Sequence, residues 1–311
     1  MKKILITGGA GYIGSMLSTK LIQLGYFVTV VDLLKYDKNS LSHLLYYDNF
    51  ELIKHDVTDE KFIKNILSKY DYIIPLAALV GAPLCEKNKK KTIKTNVETI
   101  QILLRYIKKK QRIIYPTTNS GYGVGLKNKY CDENSPLNPI SLYGVTKLKA
   151  EELVMSHRNS IAFRLATVFG ISYRMRTDLL VNNFVERAIK KQSLDIFEPH
   201  FRRNYIHIRD VVKATVFAIE KFDKLKGNIF NLGLSSANLT KINLAKKIKK
   251  HYKPVKIKII KNQTDPDKRD YFVSNKKIEK YGFKASISLD KGIKELIKLF
   301  KNIDVKFINN Y

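Results

Sequence analysis

The chain of 311 residues reads as an α/β protein: a doubly wound parallel sheet with a smaller, discontinuous C-terminal α/β segment. Three observations carry that expectation. Short apolar runs alternate with helix-period segments through the first half, the pattern of strands joined by crossover helices. The first run, Ile4-Leu5-Ile6, passes directly into Thr7-Gly8-Gly9-Ala10-Gly11-Tyr12-Ile13-Gly14. The second run, Val28-Thr29-Val30-Val31, ends on Asp32, 18 residues beyond Gly14.

Taken in order, strands are expected over 2–6, 27–31, 50–54, 71–75, 112–116 and 160–164. Helices are expected between them over 12–24, 39–46, 59–68, 86–109 and 142–157. After residue 165 the alternation breaks. Residues 171–205 hold Arg174, Arg176, Pro199, Arg202 and Arg203, and read as a loop-rich insertion around a helix at 179–191. A helix at 208–221 and a strand at 228–232 return to the sheet. Helices near 240–250, 275–281 and 289–301 build the last segment. In such a sheet the loops after the C-terminal strand ends build the site, and each motif below falls on one.

The glycine turn sits between strand and helix, the order that a dinucleotide pyrophosphate requires. Gly8 permits the tight turn, Gly11 lets backbone N–H groups approach phosphate, and Gly14 lets helix pack on strand. The positive end of the helix then faces the phosphates. A carboxylate at Asp32 would accept hydrogen bonds from the adenosine ribose and repel a 2′-phosphate. That selects NAD over NADP.

Composition sets bounds. A hydrophobic share of 44% supplies a substantial core. Two cysteines, Cys85 and Cys131, argue against a disulfide framework and fit a reducing, cytoplasmic setting. Met1-Lys2-Lys3 runs straight into the first strand, so no signal peptide is expected. No apolar stretch approaches the ~18 residues of a membrane span. The six histidines are scattered, and no metal site is expected. The net charge of +29 raises the question of nucleic acid. Lysine far outnumbers arginine and is spread over surface helices, and no recognition module accompanies it. The charge therefore reads as compositional bias with some steering of anionic substrates, and no nucleic-acid partner is expected.

The chemistry lies further on. Tyr143-Gly144-Val145-Thr146-Lys147 places a phenol and an ammonium four apart on one helix face. The ammonium favours phenolate, so Tyr143 can take a hydroxyl proton as hydride leaves the same carbon. Lys147 can also hold a nicotinamide ribose. The stretch Tyr115-Pro116-Thr117-Thr118-Asn119-Ser120-Gly121-Tyr122-Gly123 follows the strand Arg112-Ile113-Ile114. A hydroxyl there would bond the reacting oxygen, or else only its own turn backbone.

Together these motifs resemble the extended short-chain dehydrogenase/reductase family, which acts mostly on nucleotide sugars. The resemblance rests on Gly8-x-x-Gly11-x-x-Gly14, Asp56-Val57, Leu76-Ala77-Ala78, Thr117-Thr118 and Tyr143-x-x-x-Lys147. It continues through Arg164 to Gly170, through Arg203-Asn204-Tyr205-Ile206-His207, and through Asp267-Lys268-Arg269-Asp270-Tyr271. It implies Tyr143 as acid/base, Lys147 as its tuner, and Thr118 on the reacting oxygen. Gly8, Gly11, Tyr12, Ile13, Gly14, Asp32, Asp56, Val57, Leu76, Ala77, Ala78 and Thr117 would meet NAD. Arg203 and Arg269 would clamp the substrate diphosphate, with Asn119 and Asn182 also toward substrate. An NAD-binding Rossmann part is implied over 1–170 and 206–233, and a nucleotide-sugar part over 171–205 and 234–311. The resemblance further implies a homodimer through the helices at 92–109 and 142–157, with Ile93, Val97, Ile100, Leu103, Leu104 and Ile107 at helical spacing.

Relatives that eliminate water carry an acid just after the threonine, where this chain has Asn119 and Ser120. Dehydration is therefore disfavoured. The expected reaction is NAD-dependent oxidation at C4 of a GDP-linked heptose or hexose, in capsule synthesis. A UDP- or GDP-sugar 4-epimerase is the alternative, followed by a keto-sugar reductase or a non-catalytic NAD-sensing or RNA-binding regulator.

Overall fold

The computed structural model describes residues 1–125, 129–261 and 269–305. Its strands are β1 (Lys3–Thr7), β2 (Phe27–Asp32), β3 (Phe50–Lys54), β4 (Tyr72–Pro75), β5 (Arg112–Thr118), β6 (Tyr130–Cys131) and β7 (Ser160–Leu165). There follow β8 (Thr167–Phe169), β9 (Ser193–Ile196), β10 (Arg202–His207), β11 (Asn228–Leu232), β12 (Asn238–Thr240), β13 (Lys256–Ile259) and β14 (Phe272–Val273). The helices of the first half are α1 (Tyr12–Gln23), α2 (Glu60–Leu67), α3 (Ala82–Lys87), α4 (Lys89–Ile93), α5 (Thr99–Tyr106) and α6 (Leu142–Met155). Those of the second half are α7 (Leu180–Lys191), α8 (Ile208–Glu220), α9 (Phe222–Leu225), α10 (Lys241–His251), α11 (Lys276–Lys280) and α12 (Leu289–Asn302).

The central sheet runs β3-β2-β1-β4-β5-β7-β11 with every neighbouring pair parallel. Parallel neighbours need crossovers, and the expected doubly wound Rossmann sheet is the result. The run Ile4-Leu5-Ile6 shows why its strands are apolar on both sides. Ile4 and Ile6 pack with Leu17 and Leu21 of α1 and Val211 and Ala214 of α8. Leu5 packs with Ile63 and Leu67 of α2, Ile100 and Leu103 of α5, and Val154 of α6.

Smaller sheets continue the chain. In β8-β10-β12, β10 pairs parallel to β8 and antiparallel to β12. Strands β9 and β13 pair, as do β6 and β14. The core on the α1 side extends without a break through Phe169, Tyr205 and Leu234 to Leu244, Ile293 and Phe300.

Two expected helices differ. Over 39–46 there is only a single 3-10 turn, Ser42–Leu44. Leu41 and Leu44 enter the core while Leu45 and Tyr46 face out, so a short loop with two apolar anchors suffices. The helix expected over 86–109 starts earlier and is interrupted. Gly81, at φ +102°, and Pro83 open α3, Asn88 leaves helical geometry at φ −130°, and Lys94–Glu98 form a π-helical turn before α5. Of the apolar positions on this stretch, Ile100 and Leu103 are buried in the core, Leu104 and Ile107 pack against it, and Ile93 is exposed.

Candidate active site

The C-terminal ends of β1, β2, β4 and β5 open into one cavity of about 600 Å³ that also receives the segment 165–183, Arg203 and Arg269. Along one side lie Gly8, Gly11, Tyr12, Ile13, Gly14 and Asp32, and beside them Asp56, Val57, Leu76, Ala77 and Ala78. Gly8 has φ +73°, and a Cβ on it would sit 2.5 Å from the Ala77 nitrogen. Only glycine fits both the turn and that approach. At Gly14 a Cβ would meet Gly9 Cα at 2.5 Å and Gly8 O at 2.7 Å, so its glycine lets α1 pack on the turn itself rather than on a strand.

The turn fits a dinucleotide phosphate. Gly11 is the N-cap of α1 and no side chain caps the first-turn N–H groups, which remain available to an anion at the cavity. Asp32 accepts from Ala10 N at 3.0 Å and Leu34 N at 2.8 Å. Burial raises its pKa, and those N–H donors together with Arg174 work against the rise. A carboxylate fixed there suits ribose hydroxyls.

Thr118 ends β5 and caps the following turn, accepting from Ser120 N at 3.1 Å. Its hydroxyl lies 2.8 Å from Ser120 Oγ, and it lines the same cavity as the Tyr143 phenol, whose pKa it helps to lower. The turn-backbone bond is therefore present, and the same hydroxyl lines the cavity. Tyr143 enters from the first turn of α6, which Ser141 caps through Gly144 N.

The Tyr143–Lys147 relation differs from the expected one. Burial raises the Tyr143 pKa, while the Arg269 charge, the neighbouring Thr118 hydroxyl and Arg176 pull it down. Lys147 Nζ instead donates to Tyr115 Oη at 2.6 Å and Pro116 O at 2.9 Å, with the Tyr115 ring centroid 4.1 Å away. Burial brings the Lys147 pKa down to about 7, against the pull of Glu151 one turn along α6. Tyr115, quoted in the sequence at the head of the threonine stretch but given no role there, is thus the residue that holds Lys147.

Tyr115→Phe keeps the ring and removes the acceptor. The ammonium of Lys147 exists below its pKa and is lost as pH rises through it. We therefore expect the alkaline limb of kcat/KM against pH to move acid-ward by about one unit in Tyr115→Phe, since hydrogen bonds to charged groups carry about 1.5–3 kcal/mol. An unchanged pH profile would show that Tyr115 does not position Lys147.

Arg203 and Arg269 both line the cavity, with Thr117, Thr118 and Ser120. Arg203 is buried on β10, and its Nη1 donates to Arg202 O at 2.9 Å. Arg269 donates to Ser120 Oγ. Neighbouring Arg202 is engaged by Asp270 at 2.8 and 3.1 Å, which leaves Arg203 as the residue of the pair that faces the cavity. Two expected substrate residues do not line it. Asn119 is buried beneath the turn. Asn182 is fully buried, taking Gly170 N at 3.0 Å and giving to Arg176 O at 2.8 Å, while Asn183 lines the cavity in its place. Asp267 and Lys268 lie outside the described residues. Among the described residues no cluster of potential metal ligands forms, and no helix is long and apolar enough to cross a membrane.

A glycine turn, a fixed carboxylate and a threonine–tyrosine pair in one cavity accord with the family model that matches residues 4–233, described as NAD dependent epimerase/dehydratase family. The chain belongs to that family. Among its relatives, UDP-glucuronic acid decarboxylase 1 of Arabidopsis thaliana is 32% identical over 315 residues, covering 96% of this chain and 70% of the relative. UDP-glucuronic acid decarboxylase 1 of Danio rerio is 28% identical, covering 96% and 72%. UDP-glucose 4-epimerase from Thermotoga maritima, solved with UDP-glucose, superposes with a TM-score of 0.83 at 28% identity, covering 96% of this chain and 98% of that one. UDP-glucuronic acid 4-epimerase from Bacillus cereus shares the fold, with a TM-score of 0.85 at 24% identity over 96% and 99%. The chain is thus an NAD-dependent enzyme of nucleotide-sugar chemistry.

Proposed function

We propose that this enzyme oxidises the C4 hydroxyl of a nucleotide-linked sugar, with Tyr143 taking the hydroxyl proton. The observation that carries the reading is the convergence of Thr118, Tyr143 and Lys147 on the cavity that begins at the glycine turn. A sugar hydroxyl placed between them would accept from Thr118 and give its proton to Tyr143 Oη. Bound NAD supplies the acceptor for the hydride that leaves C4. Lys147, held by Tyr115 and Pro116, is available to a nicotinamide ribose, and Arg203 and Arg269 are available to the substrate diphosphate. Residues 1–170 and 206–233 hold most of the cofactor, and 171–205 with 234–311 hold most of the sugar nucleotide, with Arg174 and Arg176 of the second part lining the cavity that begins at the glycine turn.

Dehydration is disfavoured by the same geometry. Where an acid would protonate a departing hydroxyl stands Ser120, whose oxygen is bonded to Thr118 and Arg269. The cavity carboxylate Asp178 is held by Arg176 at 3.0 Å. The 4-dehydrogenase outcome needs no such acid, and neither does 4-epimerisation. The names of the relatives favour a UDP-sugar over the GDP-linked heptose or hexose expected from sequence. A second reading follows from the Arabidopsis relative together with the arginines lining the cavity, Arg176, Arg203 and Arg269. A uronic acid oxidised at C4 is a β-keto acid, which loses its carboxylate as CO2 with the electron pair passing to the C4 carbonyl. For assembly we propose a homodimer across the helices at 92–109 and 142–157, where Ile93 at the end of α4 and Val145 on α6 remain exposed.

The test is a panel of UDP- and GDP-linked hexoses, heptoses and glucuronate, followed at 340 nm and by mass spectrometry of the sugar. A stoichiometric keto sugar with NADH identifies the dehydrogenase. Inversion at C4 without net NADH identifies the epimerase, and CO2 from UDP-glucuronate identifies the decarboxylase. No NADH, no C4 inversion and no CO2 with any of the sugars overturns the proposal.

A further inference from the structure

Arg174 is a buried charge in this cavity that the proposed chemistry leaves unused. It is 2% exposed, lines the cavity and lies outside every motif that pointed to the cofactor. Its backbone is fastened to the first turn of α1. Ser172 Oγ donates to Tyr12 O at 2.7 Å and lies 3.1 Å from Ser15 Oγ, and Arg174 N donates to Ser15 Oγ at 3.4 Å. From that anchor the side chain reaches the loop after β2, where its guanidinium carbon stands 4.8 Å from the centroid of the Tyr36 ring. Its charge is felt at Asp32 as well as at Tyr36. The residue therefore runs from the first turn of α1, which holds its backbone, to a guanidinium beside Tyr36 whose charge reaches the carboxylate that suits the adenosine ribose. A diphosphate joined to that ribose would follow the same path.

We propose that Arg174 binds the diphosphate of the bound dinucleotide, with Tyr36 as the platform under its guanidinium. The inference rests on the cofactor site and not on which sugar is oxidised. It assigns the two diphosphates of the ternary complex to separate arginines, Arg174 for the dinucleotide and Arg203 with Arg269 for the substrate. Arginine suits this place because its planar fork pairs with two phosphate oxygens while its face rests on an aromatic ring. The electrostatics agree. Burial and the neighbouring Arg176 both press on the Arg174 charge, and a polyanion between them relieves both.

The test is equilibrium binding of ADP-ribose, ADP and adenosine to the full chain stripped of dinucleotide, for wild type and Arg174→Met. Loss of a charge-assisted phosphate contact should weaken ADP-ribose and ADP by about 10- to 100-fold, with adenosine unchanged. Equal weakening of all three, or of none, overturns the assignment. Because Arg174 is buried, Tyr36→Leu provides a second reading at a residue 44% exposed. It should weaken ADP-ribose by about threefold or more, in line with a lost cation–π contact, and leave adenosine unchanged. An unaltered ADP-ribose affinity in Tyr36→Leu counts against the proposal even if Arg174→Met fails to fold. Wild-type protein that binds no ADP-ribose would overturn the inference together with the cofactor site. Wild-type binding with no difference in the variants overturns Arg174 alone.

Discussion

Tyr143→Phe should lower kcat by about 10²- to 10⁴-fold, the usual share of a positioned acid/base, while leaving the fold and NAD binding in place. The phenol sits on the cavity side of α6, and removing one oxygen there opens no void in the core. What is lost is the phenol oxygen that lines the cavity beside Thr118 and Lys147. The check is turnover by NADH absorbance beside a thermal melt and a dinucleotide titration. Full turnover in this variant would remove Tyr143 as the base. A fall in melting temperature that tracks the fall in rate would point to a structural role instead.

Arg164→Met should destabilise the protein by about 3–5 kcal/mol, the range for stripping one partner from a buried ion pair. Arg164 on β7 and Glu151 on α6 are each 4% exposed, and the guanidinium grips both carboxylate oxygens at 2.7, 3.0 and 3.2 Å. Arg164 also donates to Tyr122 Oη and Glu133 O. Met leaves Glu151 charged and dry, four residues beyond Lys147 on the same helix. Urea unfolding monitored by circular dichroism checks the size of the effect. A loss under 1 kcal/mol would show that water reaches Glu151. The double replacement Arg164→Met with Glu151→Leu should recover much of the loss, because an apolar pair carries no desolvation cost.

Much of the architecture was legible because it depends on local pattern. Each apolar run between helix-period segments became a strand of the parallel sheet, and the glycine turn, Asp32, Thr118 and Tyr143 all reached one cavity. Local pattern fails where a neighbour distant in sequence decides the outcome. Lys147 shares a helix face with Tyr143, yet its ammonium follows the stronger acceptors that β5 brings beneath it, Tyr115 Oη and Pro116 O. No spacing rule contains that contact. Asn182 and Asn183 differ by one residue, which on a helix is about 100° of rotation, and the inner position went to Asn182. The interruption at Asn88 did leave a signal. Gly81-Ala82-Pro83 marks a helix start, and Asn88 caps the next turn by taking the Thr92 hydroxyl on its carbonyl at 3.0 Å. Arg174 carried no signal, since its meaning depends on the anchoring of Ser172 to α1.

The most direct test uses the sugar that the substrate panel identifies, prepared with deuterium at C4. One turnover in excess NAD should place the deuterium on the reduced cofactor, and Tyr143→Phe should suppress that transfer in parallel with turnover. Converted sugar that shows no deuterium on the cofactor at any time during the turnover, and no isotope effect on its rate, would contradict oxidation at C4.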